Sequence, residues 1–460
     1  MGTGRVGGPT GRTAQEIVDA CREAGVRLVR FLYCDNGGTV RGKAVHIDQL
    51  ADRIRTGVGL TVAMQAMSSL DQLQPVEGMG PVGEIRLVPD PDTFVVLPYA
   101  PHSAAMLADH VALDHQMWDA GPRPFLTRMA RILAERDMAL SCGVENEFSL
   151  AHQQGDSFVP IDHSLCFSTI GMAAAADVID DMVEALEKQH IGVEQYYAEL
   201  GHGQHELSVS PRPAVQAADI QVLVRETVRA VASRHDLAAS LAPKPWPDQA
   251  GNGAHVHMSL WDASLERNLF HEDTGRYGLS ELAEHFIAGI LAHLPGLLGL
   301  TAPTFNSFQR LLPEHWSSAY VCWGPDNREA AVRVPSTFWG REMPSANLEY
   351  KPIDASCNPY LAFGGLIAAG VDGIDRRLTP PEPVTVDPHR LSPAQRESFG
   401  IAPYPPTVGH ALDALERDEV LTQALGPVLT RSYLAVRRSE WEADPAIDEP
   451  HERAQTFLKY

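Results

Sequence analysis

Residues Gly143 to Leu150 read GVENEFSL. Met138, Ala139 and Leu140 lead into them, and Val144, Phe148 and Leu150 flank the acids, so the run reads as a buried strand. Side chains two apart on a strand share a face, which sets Glu145 and Glu147 side by side. Adjacent carboxylates repel, and burying them is costly unless something cationic pairs with them. A sheet that carries this strand must therefore bring positive charge to it.

Outward from this strand the pattern is mixed. Upstream, TAQEIVDACREAG (13–25) reads as a helix, followed by a hairpin: VRLVRFLYCD, the turn NGG, then TVRGKAVHI. Strand-like runs recur at EIRLVPD (84–90), TFVVLPY (93–99) and AAMLADHVAL (104–113). The polar, Gly-rich residues 1–12 read as a flexible lead-in. Residues 13–112 then form a small sheet-rich α+β domain. DAGPRP (119–124) marks a boundary, with proline opening the helix FLTRMARILAERD. A larger unit, 120–460, follows. It mixes helices near 174–189, 214–234 and 279–295 with strands, and its tail is helical from about 408. LTPPEPVTVDPHRLSP (378–393) reads as an exposed loop.

Composition narrows the function. Across 460 residues, 37 Lys plus Arg stand against 59 Asp plus Glu, a formal net charge of -22. Phosphate-backbone binding needs a basic footprint, so nucleic acid is excluded as the main partner; small anions in a local pocket are not. The six cysteines are scattered without a CxxC pair and read as reduced thiols of a cytoplasmic protein. FIAGILAHLPGLLGLTAP is interrupted by His293 and Pro295 and preceded by Glu281, Glu284 and His285, which reads as a core helix rather than a membrane span.

Three further clusters accompany Glu145 and Glu147. Glu199 and Glu206 stand seven apart around a turn with Gly201 and Gly203, in ELGHGQHEL. His255 and His257 repeat the i,i+2 spacing in GNGAHVHMSL, and Glu349 lies between Leu348 and Tyr350. Each alone is an ordinary polar turn or solvated strand face. Together they offer five carboxylates and an imidazole, a donor set that suits Mg²⁺ or Mn²⁺. Six ligands divide into two sites of three, each with open positions, and two divalent cations would neutralise the adjacent acids. Arg310, Arg328 and Arg333 occur nearby in sequence. Arg333 interrupts an apolar run, where an arginine needs an anionic partner. Metals with arginines form a clamp for a transferring phosphoryl group, and no P-loop sequence is present.

From about residue 14 onward the chain resembles the glutamine synthetase family. The resemblance rests on GVENEF, ELGHGQHE, KPWPDQAGNGAHVHMSL, NSFQRLLP, NREAAVRVP and LEYKPIDASCNPYLA, in the family's order. It implies an α+β fold: a β-grasp N-terminal domain, then a catalytic domain with an antiparallel sheet and surrounding helices. It also implies two stacked hexamer rings with active sites between neighbouring subunits. By matching position, Glu147, Glu199 and Glu206 would hold one metal, and Glu145, His255 and Glu349 the metal on ATP. His257 and Ser259 would lie at the nucleotide, Arg328 and Arg333 at the transferring phosphoryl group, and Gly251 and Arg310 at glutamate. The implied reaction phosphorylates the γ-carboxylate of glutamate with ATP and then forms an amide with an amine.

Departures from the family pattern concern the amine. Thr61 stands where the family's ammonium-site aspartate would be, and Trp316 where a second carboxylate would be, six residues after Arg310. An alkylammonium, with a pKa of about 10, must lose a proton before it attacks, and tryptophan cannot accept one. Its ring can pack on an organic group or face a cation. The pattern is similar to that of γ-glutamyl-amine ligases related to glutamine synthetase. It favours a weakly basic or apolar amine over a polyamine, unless acids elsewhere hold the latter. Lys351 stands where an arginine is common near the glutamate carboxylates, keeping the charge without the bidentate fork. Two other readings stay open: an ammonia-using glutamine synthetase with an acid from the loop around Glu314, and a catalytically silent structural or sensing ring.

Overall fold

The computed structural model describes residues 11–443 and 456–460, so most of the expected N-terminal lead-in lies outside the described residues. A helix, Ala14–Glu23, opens the chain. Thr13 and Glu16 form a capping box at its start, and Ile17, Val18 and Cys21 face inward. The hairpin follows as β1 (Leu28–Cys34) and β2 (Val40–His46), paired antiparallel. The rest of the first sheet is β3 (Val58–Thr61), β4 (Glu84–Pro89), β5 (Val95–Val96) and β6 (Ser103–Val111). Its order is β2-β1-β6-β4-β3, with β6 parallel to β1 and β5 on β6. The strand expected over 93–99 is shorter than its sequence suggests. Pro91–Thr93 forms a 3-10 turn capped by Asp90, and Pro98 has no amide to donate to a ladder.

A second sheet of ten strands carries the acids. It comprises β7 (Met138–Gln154), β8 (Ser157–Pro160), β9 (Val193–Ala198), β10 (Gln204–Pro213), β11 (Ala238–Ser240), β12 (Val256–Asp262), β13 (Tyr320–Pro325), β14 (Ala330–Val334), β15 (Leu348–Tyr350) and β16 (Ala402–Pro403). The order is β16-β13-β14-β15-β12-β7-β10-β9, antiparallel except for the β13–β14 pair. Register does the positioning. Glu147 faces Glu206 across β7–β10, His257 faces Glu349 across β12–β15, and Glu349 faces Arg333 across β15–β14.

The helices Pro122–Ala134 and Ala214–Arg234 pack on this sheet, and Pro359–Asp375 packs on both of them. The apolar helix expected to end near 295 continues through Pro295 to Thr301. It is long and apolar enough to cross a membrane, yet most of it is buried against the other helices. At Gly289 it crosses Pro359–Asp375 so closely that a Cβ would stand 2.1 Å from the Ala369 carbonyl oxygen. The segment 378–393, expected to be exposed, is partly anchored: Val384 is buried, and its amide donates to the Trp323 carbonyl. Arg123, on the helix Pro122–Ala134, ties the first sheet to the helix Ala214–Arg234: it donates to Asp90, Asp109 and Asp219 at 2.8–2.9 Å.

Candidate active site

One cleft of about 980 Å³ opens over β7, β10, β12 and β15. It is lined by Glu145, Glu147, Glu199, Glu206, His255, His257, Ser259 and Glu349, and equally by Gly251, Arg310, Trp316, Arg328, Arg333 and Lys351. Thr61 is the exception. It is exposed at the end of β3 and does not line the cleft of its own chain.

Glu145, His255 and Glu349 bring one donor atom each within 4.8 Å of one another. Nδ1 of His255 lies 3.3 Å from Glu145 and 3.6 Å from both Glu147 and Glu349, and its buried Nε2 has no partner. Glu147 Oε2 accepts from the Gln204 side chain and the Gly253 amide, both at 2.9 Å. The chain must pass close here: a Cβ on Gly253 would stand 2.7 Å from His255 Nε2, and one on Gly251 2.2 Å from the Pro243 carbonyl oxygen.

Charge is unevenly satisfied. Burial opposes ionisation of Glu349, but Lys351, whose Nζ donates to it at 3.0 Å, holds its carboxyl down at about 2; Arg333 also donates to it. Burial also works against Glu145, yet hydrogen bonds from His255 and His257 keep it well below the usual range. His257 in turn is raised to about 9, because Glu145 at 3.0 Å outweighs the effect of burial. On the other side the acids are less well balanced, because Arg310 and Lys351 draw Glu147 down by less than its burial raises it. Burial raises Glu147; burial and then the charge of Glu147 raise Glu199 to about 7; burial and the charges of Glu145 and Glu147 push Glu206 well upward. Carboxylates gathered at such a cost, with an orphaned imidazole nitrogen beside them, fit a divalent cation.

Several participants carried no clear sequence signal. Gln204 bridges Glu147 and the Gly251 carbonyl. The Tyr197 hydroxyl donates to Glu206 at 2.5 Å. Asn347 sits 2.8 Å from His257 Nδ1. Glu329 is 7 % exposed beneath the loop that carries Trp316. Two of them lie inside motifs quoted above for other residues, Gln204 in ELGHGQHE and Glu329 in NREAAVRVP.

Residues 13–122 match the glutamine synthetase N-terminal domain and residues 119–455 the glutamine synthetase catalytic domain. The chain belongs to the glutamine synthetase family. Relatives within the family differ in what they are named for. The gamma-glutamylpolyamine synthetase GlnA3 of Streptomyces coelicolor is 37 % identical over 440 residues, covering 95 % of this chain and 94 % of that protein. A glutamine synthetase of Pyrococcus abyssi is 33 % identical over 418 residues, covering 91 % and 90 %. Among solved structures, one described as a novel glutamine synthase homolog superposes with a TM-score of 0.83 at 34 % identity, covering 94 % of this chain and 98 % of that one. A GmaS/ADP complex does so at 0.82 and 29 %, covering 93 % and 96 %. The glutamine synthetase fold is thus shown, with its N-terminal domain and its sheet-and-helix catalytic domain.

Proposed function

We propose that the protein is an ATP-dependent ligase that joins an organic amine to the γ-carboxylate of glutamate through γ-glutamyl phosphate. The observation that carries this reading is the cleft itself: an acid–imidazole cluster and six lysine and arginine side chains share it with Trp316, which stands where the family's second amine-site carboxylate would be, and Glu314 lines the same wall. Glu145, His255 and Glu349 would hold the metal on ATP, and Glu147, Glu199 and Glu206 a second. Bound Mg²⁺ or Mn²⁺ would supply charge neutralisation for the phosphates. His257, protonated near neutral pH by its contact with Glu145, and Ser259 would hold the nucleotide. Arg310 and Lys351, both buried, would fix the glutamate carboxylates beside Gly251. Arg328 and Arg333 would draw the γ-phosphoryl group toward the attacking carboxylate and stabilise the charge that develops on it. Trp316 would pack on the organic part of the amine, and Thr61 would face the site from a neighbouring subunit. That last role fits two stacked hexamers of a cytoplasmic enzyme, each chain divided into 13–112 and 120–460.

Phosphate release from ATP tests the proposal, with Mg²⁺, glutamate and a panel of ammonium, ethanolamine, isopropylamine, an aniline and aliphatic di- and polyamines, products confirmed by mass. An organic amine should be the best substrate by at least about tenfold. Ammonium as the best substrate would return the protein to ordinary glutamine synthesis. No release with any amine, despite ATP and metal binding, would mark a silent relative.

A further inference from the structure

Beside the main cleft lies a second cavity of about 340 Å³. The two share Glu314, Trp316 and Arg328, so the side cavity adjoins the cleft at Trp316. Its walls come from the turn before β14 and from the anchored segment 385–390. Four carboxylates line it, Glu314, Asp326, Glu329 and Asp387, against two guanidiniums, Arg328 and Arg390. Arg390 is already near Asp387, at 3.5 Å, and its side chain is largely exposed. Asp326 accepts from the amide and hydroxyl of Ser336.

Glu329 is the uncompensated group. It is more than nine-tenths buried. Its Oε1 accepts from the Trp316 amide at 2.7 Å, while its buried Oε2 has no hydrogen-bond partner. Among the described residues no ion pair reaches Glu329 within 4 Å. Burial raises its pKa and the charge of Asp387 adds to this, and together they outweigh the Trp316 and Glu314 amides and the charge of Lys351. An orphaned buried carboxylate oxygen is destabilising unless a donor meets it, and a cationic donor meets it best. Its position is held firmly. Glu314, Trp316 and Ser318 alternate in left-handed conformations, with φ of 60°, 53° and 69°, and Glu329 fastens the middle of that loop.

We propose that this side cavity receives a second, protonated amino group of a di- or polyamine substrate, with Glu329 as its main ion-pair partner and Asp387 as its second. The proposal rests on the ligase reading and refines its substrate class. It supplies, from a different part of the chain, acids for the amine that Thr61 and Trp316 do not provide. A monoamine that only packs on Trp316 is the rival outcome.

The test compares 1,5-diaminopentane with n-pentylamine, two amines of equal chain length that differ in the distal charge. The readout is the ratio of their kcat/KM values at saturating ATP, glutamate and Mg²⁺ in the full-length enzyme. The wild type should favour the diamine by about tenfold or more, the scale of one charged hydrogen bond. Glu329→Gln keeps the size and the acceptor for the Trp316 amide but removes the charge, and should lower that ratio about tenfold. Asp387→Asn should lower it in the same direction. A wild-type ratio near one, or a ratio that survives Glu329→Gln, overturns the proposal. If no amine stimulates phosphate release, the ligase reading fails separately, and calorimetric titration of 1,5-diaminopentane decides the cavity. Binding about tenfold weaker in Glu329→Gln supports it; equal binding overturns it.

Discussion

Gly253→Ala adds one methyl group at the centre of the site. Its Cβ would stand 2.7 Å from His255 Nε2, and 3.1 Å from both an Arg310 guanidinium nitrogen and Glu147 Oε1. Favourable non-bonded separations begin at about 3.5 Å, so the imidazole must retreat by roughly 0.8 Å. It cannot do so freely: Nδ1 is set among Glu145, Glu147 and Glu349, and β12 fixes the backbone just beyond. Overpacking of this kind costs about 1–3 kcal/mol of stability. The larger effect should fall on function. Disturbing the orientation of a metal-binding group lowers affinity about 10–100-fold, and a displacement near 1 Å at reacting groups costs about 10²-fold in rate. Calorimetric titration of Mg²⁺ and Mn²⁺ into Gly253→Ala, alongside phosphate release, reads both. Metal affinity and turnover within twofold of wild type would refute the placement of His255 at a metal and the tight packing inferred around it.

Arg123→Met should remove the cation shared by Asp90, Asp109 and Asp219 and cost about 3–5 kcal/mol in urea unfolding, with Asp219→Asn restoring part of the loss in the double variant; a cost below about 1 kcal/mol would show that the network contributes little. His293 lies between Asp418 at 2.7 Å and Asp372 at 3.0 Å; burial lowers its pKa, but these two carboxylates raise it further, above its unfolded value. That contribution is fully present below the unfolded pKa of about 6.5 and is lost as pH rises through the folded value. Urea midpoints should therefore separate wild type from His293→Gln most at pH 6 and least in alkaline buffer, and a difference that does not change with pH would count against the ion pairs.

The sequence by itself determined the local geometry of this protein. The two-residue period of a strand put Glu145 beside Glu147 and His255 on one face with His257, because that period belongs to the extended backbone and needs no partner strand. Capping residues such as Thr13 with Glu16, and the proline that opens Pro122–Ala134, marked helix starts for the same local reason. Tertiary structure decided what faces these residues. Cross-strand register, set by packing along the whole sheet, put Glu206 opposite Glu147 and Arg333 opposite Glu349. It also kept Thr61 out of its own chain's cleft and carried the helix through Pro295, where helix packing outweighs one lost hydrogen bond. Glu329 shows the difference most clearly. In sequence it is one more acid in an acidic chain. The loop that folds over it, and the segment from 385 onward that closes beside it, bury the carboxylate and leave one oxygen without a partner, since burial and hydrogen bonding depend on residues far apart in the chain.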